Sequence, residues 1–186
     1  MTNRERVFQA YLVSAARLGD RKAMERLAEM CGPRLLAHAG RLLDDRQSAE
    51  DVVQSAWIDI LHGLPRLADD RAFMPWALRI VSRRVVHVIR RRQRQRRLAS
   101  QLRPEAPESA TSQGPPAADA ATIRALIDRL DAPHRATLAL FYLEDLSVAE
   151  VAVALDIPAG TVKSRLTTAR HKLRAFLKGE TDEQDR

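Results

Sequence analysis

The chain has 186 residues, which is enough for one domain or two small ones. Its formal net charge is +7 and its sequence pI is about 10.4, a balance that favours a polyanionic partner such as nucleic acid. The single cysteine, Cys31, excludes an internal disulfide framework, and no Cys/His spacing is typical of a metal site, so we expect neither a metal nor a cofactor.

Helical spacing of apolar residues runs along the whole chain, and no alternating strand pattern or hairpin turn occurs. The N-terminal segment lacks the apolar core of a signal peptide, and no apolar run approaches the roughly 20 residues that cross a bilayer. We therefore expect a cytoplasmic all-α protein without membrane insertion. The spacing predicts these helices: 4–17, 20–30, 33–44, 48–63, 72–97, 121–130, 133–143, 147–155 and 161–177.

Residues 99–120 separate these helices into two groups. The segment is rich in proline and has few large apolar residues, so it cannot bury enough surface to become ordered and is predicted to be a flexible linker. The expected fold class is therefore two small helical domains joined by a flexible linker. One domain is expected over 1–98 and the other over 121–178, with a charged tail at 179–186.

The predicted helix 48–63 has one apolar face and one largely polar face. Asp51, Gln54 and Ser55 lie on or beside the polar face, and Ile58 lies among them. An apolar residue within a polar patch indicates a protein contact, although a single exposed isoleucine is also normal on any surface. The residues alone leave both interpretations open.

The predicted helix 72–97 carries a stripe of basic residues on one side of its surface. The stripe consists of five residues spaced three or four apart: Arg79, Arg83, His87, Arg90 and Arg94. Because like charges at this spacing repel one another, a polyanion along the stripe would stabilise the helix. The alternative is a solvated run of charge. A loop at 64–71, which contains Arg66 and Leu67, precedes the helix.

Residues 147–173 carry the most specific pattern in the chain, which predicts a helix, a tight turn and a second helix. Ser147 and Glu150 have the spacing of a capping box at the start of the first helix, and Pro158 favours a break after it. Thr161 is predicted to cap the second helix. That helix has an apolar stripe opposite a face of hydroxyls and cations, which suits DNA bases and phosphates. The alternative is an ordinary helical hairpin with a solvated basic face.

In this order, these segments resemble the extracytoplasmic-function sigma factors of bacterial RNA polymerase, and the resemblance covers nearly the whole chain. The start of the family's region 2 is similar to GDRKAMERLAEMCGPRL near 19–35. Its polymerase-binding helix is similar to AEDVVQSAW at 49–57, and its DNA-melting helix to FMPWALRI at 73–80. Its region 4 is similar to DLSVAEVAVALDIPAGTVKSRLTTAR, of which GTVKSRL is the most specific part.

The resemblance implies a promoter-specificity subunit without enzymatic activity, whose partners are core RNA polymerase, promoter DNA and an anti-sigma factor. It assigns the upstream (−35) element to Thr161, Lys163, Ser164, Arg165, Thr167, Thr168 and Arg170. It assigns the downstream (−10) element and its melting to Arg66, Leu67, Arg79, Arg83, His87 and Arg90. It assigns binding of the core polymerase to Asp51, Gln54, Ser55 and Ile58.

The chain departs from the family pattern at four positions. Arg83 and His87 stand where the melting helix usually has asparagine and often has aspartate, which shifts this helix toward phosphate binding. Thr168 stands where arginine is usual, and Asp156 stands in the turn where glycine is frequent. An extended 20-residue linker reaches about 70 Å, which is enough to span promoter elements about 17 base pairs, or roughly 58 Å, apart.

The alternative function is a stand-alone helix-turn-helix transcriptional regulator, which leaves the first domain unexplained. An enzyme is not favoured, because the sequence has no nucleophile–base set and no Gly-rich phosphate loop.

Overall fold

A computed structural model of the chain describes residues 3–43, 45–102, 126–127 and 129–184. Over these residues the structure is all-α, which confirms the predicted fold class. Its helices are α1 Asn3–Arg17, α2 Arg21–Leu42, α3 Arg46–Gly63, α4 Phe73–Leu102, α5 Ala132–Tyr142, α6 Val148–Leu155 and α7 Ala159–Gln184. Two short 3-10 turns, Leu64–Arg66 and Asp70–Ala72, connect α3 to α4. We call α1–α4 the first lobe and α5–α7 the second lobe.

Helix α2 shows that the predicted break between helices 20–30 and 33–44 was wrong, because Pro33 lies inside one continuous helix. A proline in a helix interior removes a backbone hydrogen bond and costs about 3 kcal/mol. Leu27 and Leu35, which lie on either side of Pro33, are both fully buried in the same core. Burial of the apolar side chains on both sides of Pro33 therefore outweighs the local cost of the proline.

Helix α4 continues to Leu102, so it extends past the predicted end at 97 and into the segment predicted as a linker from 99. Residues 103–125, which contain the rest of that segment, lie outside the described residues. Most of the predicted helix 121–130 lies outside them as well.

Helix α7 is longer than predicted at both ends. It begins at Ala159, so Thr161 lies in its first turn and does not cap it, contrary to the prediction. The carbonyl oxygen of Pro158 accepts hydrogen bonds from the backbone N–H groups of Thr161 and Val162. The helix runs on to Gln184, so the predicted charged tail is for the most part a continuation of α7.

One hydrophobic core runs through both lobes. In the first lobe it is formed by fully buried side chains that include Ile60, Phe73 and Leu78. Val151 and Ala154 of α6 are also fully buried and belong to the same core, and α6 packs against α4. Helix α5 packs against α2 in the same way. The lobes therefore form one packed unit, which the sequence did not predict.

Candidate nucleic-acid interface

Helix α7 presents its polar face to solvent. Its apolar stripe is buried within the second lobe through Val162, Leu166 and Ala169. The predicted −35 residues lie on the opposite side or beside it, five of them exposed and two half-buried. The exposed residues are Lys163, Ser164, Thr167, Thr168 and Arg170, and the half-buried ones are Thr161 and Arg165. The structure thus brings all seven predicted residues together along one helix.

Hydrogen bonds within the second lobe orient part of this face. The Oγ of Ser164 donates to the carbonyl oxygen of Thr161 at 3.0 Å, and the Oγ1 of Thr167 donates to that of Lys163 at 3.1 Å. The Nε of Arg170 donates to the hydroxyl of Tyr142 at 3.0 Å. The hydroxyls keep their acceptor lone pairs and can rotate, so they remain able to bond to DNA.

Helix α6 has a side-chain cap at its start and a sharp turn at its end, where it connects to α7. The predicted capping box is confirmed: the Oε2 of Glu150 accepts from the N–H of Ser147 at 2.7 Å, and the Oγ of Ser147 accepts from the N–H of Glu150 at 3.2 Å. Asp156 ends α6 in the left-handed conformation, with φ 56° and ψ 46°. Aspartate and asparagine tolerate this conformation better than other non-glycine residues. The residue therefore fits a turn where glycine is frequent.

The basic stripe of α4 is largely open to solvent. Arg83, His87, Arg90 and Arg94 are exposed, whereas Arg79 is half-buried. In the 3-10 turns that precede the helix, Arg66 is exposed. The side chain of Leu67 is only 8% exposed and packs into the core. Leu67 therefore stabilises the turn from inside the protein, and its side chain is not presented to solvent.

Two arginines of the stripe are paired with the turn of the second lobe. The Nη2 of Arg79 donates to the Oδ1 of Asp156 at 2.6 Å. The Nη2 and Nε of Arg83 donate to the Oδ2 of the same carboxylate at 3.1 and 3.2 Å. These hydrogen bonds, from Arg79 first and then Arg83, hold the pKa of Asp156 below its usual value. The carboxylate is therefore held ionised between two guanidinium groups.

Sequence reasoning missed further pairs of the same kind between the lobes. The Nε of Arg34 donates to the Oε2 of Glu144 at 2.6 Å, and Arg41 lies 3.5 Å from Oε1. The Nη2 of Arg6 donates to both the carbonyl oxygen and the Oδ2 of Asp145 at 2.8 Å. The only sequence signal for these pairs is the adjacent acids Glu144 and Asp145 before α6, because their arginine partners lie more than a hundred residues earlier in the sequence.

The polar face of α3 contains the residues predicted to bind the polymerase. Asp51 and Gln54 are exposed, and Ser55 is half-buried. Ile58 is 53% exposed, and Leu61, one turn further on, is 50% exposed. Two neighbouring apolar side chains form a larger patch than a single exposed isoleucine, and this favours the interpretation of the face as a protein contact.

A groove of about 680 Å³ runs between α3 and α4. Asp51 and Ser55 line one wall, and Arg83 and His87 line the other. Both carboxylate oxygens of Asp59 accept hydrogen bonds from Arg84 of the facing helix at 2.6 Å. These hydrogen bonds lower the pKa of Asp59. Predicted polymerase and DNA contacts thus face each other across a single groove.

The described residues contain no group of three or more histidine, cysteine, aspartate or glutamate side chains that could hold a metal ion. None of the helices, over the part of the chain that the structure describes, is long and apolar enough to span a membrane.

Two family models match the chain. Sigma-70 region 2 matches residues 27–95, and Sigma-70, region 4 matches residues 120–173. The RNA polymerase sigma factor NccH of Alcaligenes xylosoxydans xylosoxydans is 31% identical over 89% of this chain and 92% of its own length. The ECF RNA polymerase sigma factor SigW of Bacillus subtilis is 25% identical over 89% of this chain and 95% of its own length.

A solved structure has the same fold. The sigma factor RpoE of Bartonella quintana, in complex with the anti-sigma factor NepR, matches with a TM-score of 0.68 at 22% sequence identity. The match covers 84% of this chain and 98% of that protein. The arrangement of helices described above therefore recurs in a protein of low sequence identity.

Proposed function

The chain belongs to the extracytoplasmic-function sigma factors, and from this membership we propose which of its surfaces bind the polymerase and each promoter element. A sigma factor of this family takes part in promoter recognition and transcription initiation. The observation that carries the assignment of surfaces is the exposed polar face of α7, which lies over a buried apolar stripe directly after a capped helix and a sharp turn.

The second lobe binds the −35 element through α7. A helix that follows a tight turn enters the major groove with its N-terminal residues toward the base edges. Lys163, Ser164 and Arg165 lie in the N-terminal part of the helix and contact bases and phosphates. The neighbouring DNA backbone is contacted by Thr161, Thr167, Thr168 and Arg170. The hydrogen bond between Arg170 and Tyr142 sets the direction of that guanidinium group.

The first lobe binds the −10 element and its melted strand along α4 and the preceding turns. Arg79, Arg83, His87 and Arg90 follow the phosphates, because a row of basic side chains on one helix face suits the continuous negative charge along a strand. Arg66 meets the DNA directly, and Leu67 shapes the turn from within. Unstacking a base costs a few kcal/mol, which these phosphate contacts offset.

The face of α3 binds core RNA polymerase through Asp51, Gln54, Ser55 and Ile58. Exposed carboxylate and amide groups beside an apolar patch are typical of the rim and centre of a protein interface. The chain itself contributes no bond-forming chemistry and acts in the cytoplasm, where the polymerase and the genome are found.

An anti-sigma factor is the expected inhibitory partner, since RpoE of Bartonella quintana is solved in complex with one. The groove between α3 and α4 is the surface that we assign to it. A partner in this groove covers Asp51 and Ser55 on one wall and Arg83 and His87 on the other, so it blocks polymerase and DNA together. A stand-alone helix-turn-helix regulator accounts for the second lobe only and leaves the match to region 2 without a role.

The test is reconstitution of the full chain with core polymerase that lacks sigma factors. Run-off transcription from a genomic promoter library and the affinity for the core are both measured. We expect specific transcripts that depend on the added chain. The absence of both specific transcripts and core binding would overturn the proposed function.

A charge reversal tests the polymerase face by itself. Asp51→Arg is expected to weaken core binding about tenfold while DNA binding by the second lobe stays unchanged, because α3 and α7 lie in different lobes. Glu29→Arg, an equal change of charge at an exposed residue of α2, is the matched control. Core affinity that is the same for both variants would show that α3 is not the polymerase face.

A further inference from the structure

The two stripe arginines that contact Asp156 are also residues to which the proposed function assigns the −10 strand. Arg79 and Arg83 together donate three hydrogen bonds to the two oxygens of this carboxylate. Carboxylate and phosphate oxygens accept the same charge-assisted hydrogen bonds from guanidinium groups. Asp156 and a DNA phosphate therefore compete for one position, and only one of them occupies it at a time.

The contact between the lobes repeats this pattern elsewhere. Glu144, which is 7% exposed, is paired with Arg34 and Arg41. Asp145 is paired with Arg6. These acids lie in the loop before α6, and Asp156 lies in the turn after it. Carboxylates on both sides of the helix that packs on α4 thus meet arginines of the first lobe.

The packed arrangement is also too short for a promoter. Asp156 and Thr161 are five residues apart, so they are separated by at most about 18 Å. The paired side chains add on the order of 10 Å, so Arg79 lies within about 30 Å of the start of the recognition face. Promoter elements that are 17 base pairs apart are separated by roughly 58 Å. The lobes must separate before Arg79 and α7 meet their elements on one DNA.

We propose that Asp156, Glu144 and Asp145 latch the second lobe onto the first, and that this closed arrangement withholds Arg79 and Arg83 from the promoter strand. The proposal rests on the function assigned to α4. Separation of the lobes frees both arginines, and any ligand that binds only the separated lobes shifts the chain toward the open form.

The contact of Asp156 with Arg79 and Arg83 is weak enough to be reversible. Its carboxylate is 43% exposed, and the side chain of Arg83 is 60% exposed, so each pair contributes little in water. The Nε of Arg79 is buried and finds no acceptor among the described residues, so this guanidinium is only partly satisfied while the lobes are closed. A phosphate strand therefore displaces Asp156 at small cost.

The experiment compares Asp156→Asn with Asp131→Asn in the full chain. Asparagine keeps the size of the side chain and tolerates the left-handed conformation at 156. Asp131 is a matched control because its side chain is 46% exposed and its partners, Lys172 and His134, both lie in the second lobe. Both variants raise the net charge by one, so any general gain in DNA affinity is common to both.

Lobe separation is measured by energy transfer between dyes on introduced cysteines at two exposed positions, Glu25→Cys in α2 and Ala175→Cys in α7. The native Cys31 is fully buried, and burial raises its pKa to about 11, so it stays unlabelled. Affinity for a dT20 oligonucleotide, a sequence-independent probe of the stripe, is measured in parallel without polymerase. Asp156→Asn is expected to shift the closed-to-open ratio about fivefold toward open and to bind dT20 about fivefold more tightly. Asp131→Asn is expected to give the same energy transfer as the labelled chain with Asp131 and Asp156 unchanged.

Equal energy transfer in the two variants would overturn the latch, whatever the transcription assay shows. Opening by Asp156→Asn with the dT20 affinity of Asp131→Asn would overturn the claim that the latch withholds the arginines. A failure of the proposed function is distinguishable, because it appears as missing run-off transcripts and leaves the energy-transfer difference in place.

Discussion

His38 connects α2 to α4 through a hydrogen bond in the core. Its ring is fully buried, and its Nε2 lies 2.9 Å from the Oγ of Ser82. That hydroxyl donates its proton to the carbonyl oxygen of Leu78, so Nε2 must be the donor to Ser82, and the ring is neutral with its proton on Nε2. Burial, with a smaller effect from the positive charge of Arg41, lowers the pKa of His38 to about 3.

This lowered pKa makes the free energy of unfolding depend on pH. In the unfolded chain the imidazole titrates near 6.5, so between pH 6.5 and 3 the unfolded state binds a proton that the folded state does not. The stability contributed by the neutral ring is fully present above pH 6.5 and is lost as the pH falls through this window. At about 1.36 kcal/mol per pH unit, the loss between about pH 7 and about pH 4.5 is about 2.5 kcal/mol.

The assay is denaturant unfolding of the wild-type chain and of His38→Gln across that pH range. The variant removes the titrating ring and keeps all carboxylates, so its free energy of unfolding is expected to fall about 2.5 kcal/mol less on acidification. His62→Gln, which removes an exposed imidazole, is the control. The same pH dependence in wild type and His38→Gln would refute the conclusion that the buried ring stays neutral.

Three further substitutions test packing, charge and DNA contact. Gly63→Ala places a Cβ 2.8 Å from the Cζ2 of Trp76 and is expected to destabilise the fold by about 1 to 3 kcal/mol in thermal unfolding; Gly32→Ala, with no neighbour within 4 Å, is the control, and equal effects would contradict the crowding. Glu144→Gln removes the negative charge that lies beside Arg34 and Arg41 and is expected to cost about 2 kcal/mol in denaturant unfolding; no loss would mean that the charge of Glu144 contributes nothing. Lys163→Ala is expected to make the salt dependence of −35 binding shallower by about 0.9 in log–log slope, and an unchanged slope would remove Lys163 from the phosphate contacts.

Features that depend on nearby residues could be predicted from the sequence. The capping box of Ser147 and Glu150 and the apolar stripe of α7 each involve residues within a few turns of one helix, where spacing determines which side chains meet. The exposed stripe of α4 follows from the same periodicity. Pro33 is the exception, because the burial of both halves of α2 outweighed a local helix-breaking signal.

Features that join distant parts of the chain could not be predicted in this way. The sequence marks Asp156 as unusual in its turn, but the partners of Asp156 lie 77 and 73 residues earlier, and no local pattern relates them to it. The same is true of Arg34 and Glu144. A proline-rich connection also suggested independent lobes, although a linker sets only how far two units can move apart and not whether they pack together.

The core shared by the lobes gives their separation a dependence on temperature. Opening breaks the packing of α6 on α4 and exposes apolar surface to water, and exposure of apolar surface increases the heat capacity. Apolar contacts of this kind weaken on cooling. The closed form therefore has a temperature of greatest stability, and below that temperature cooling shifts the chain toward the open form. A partner that binds the face of α6 that opening exposes shifts the chain in the same direction.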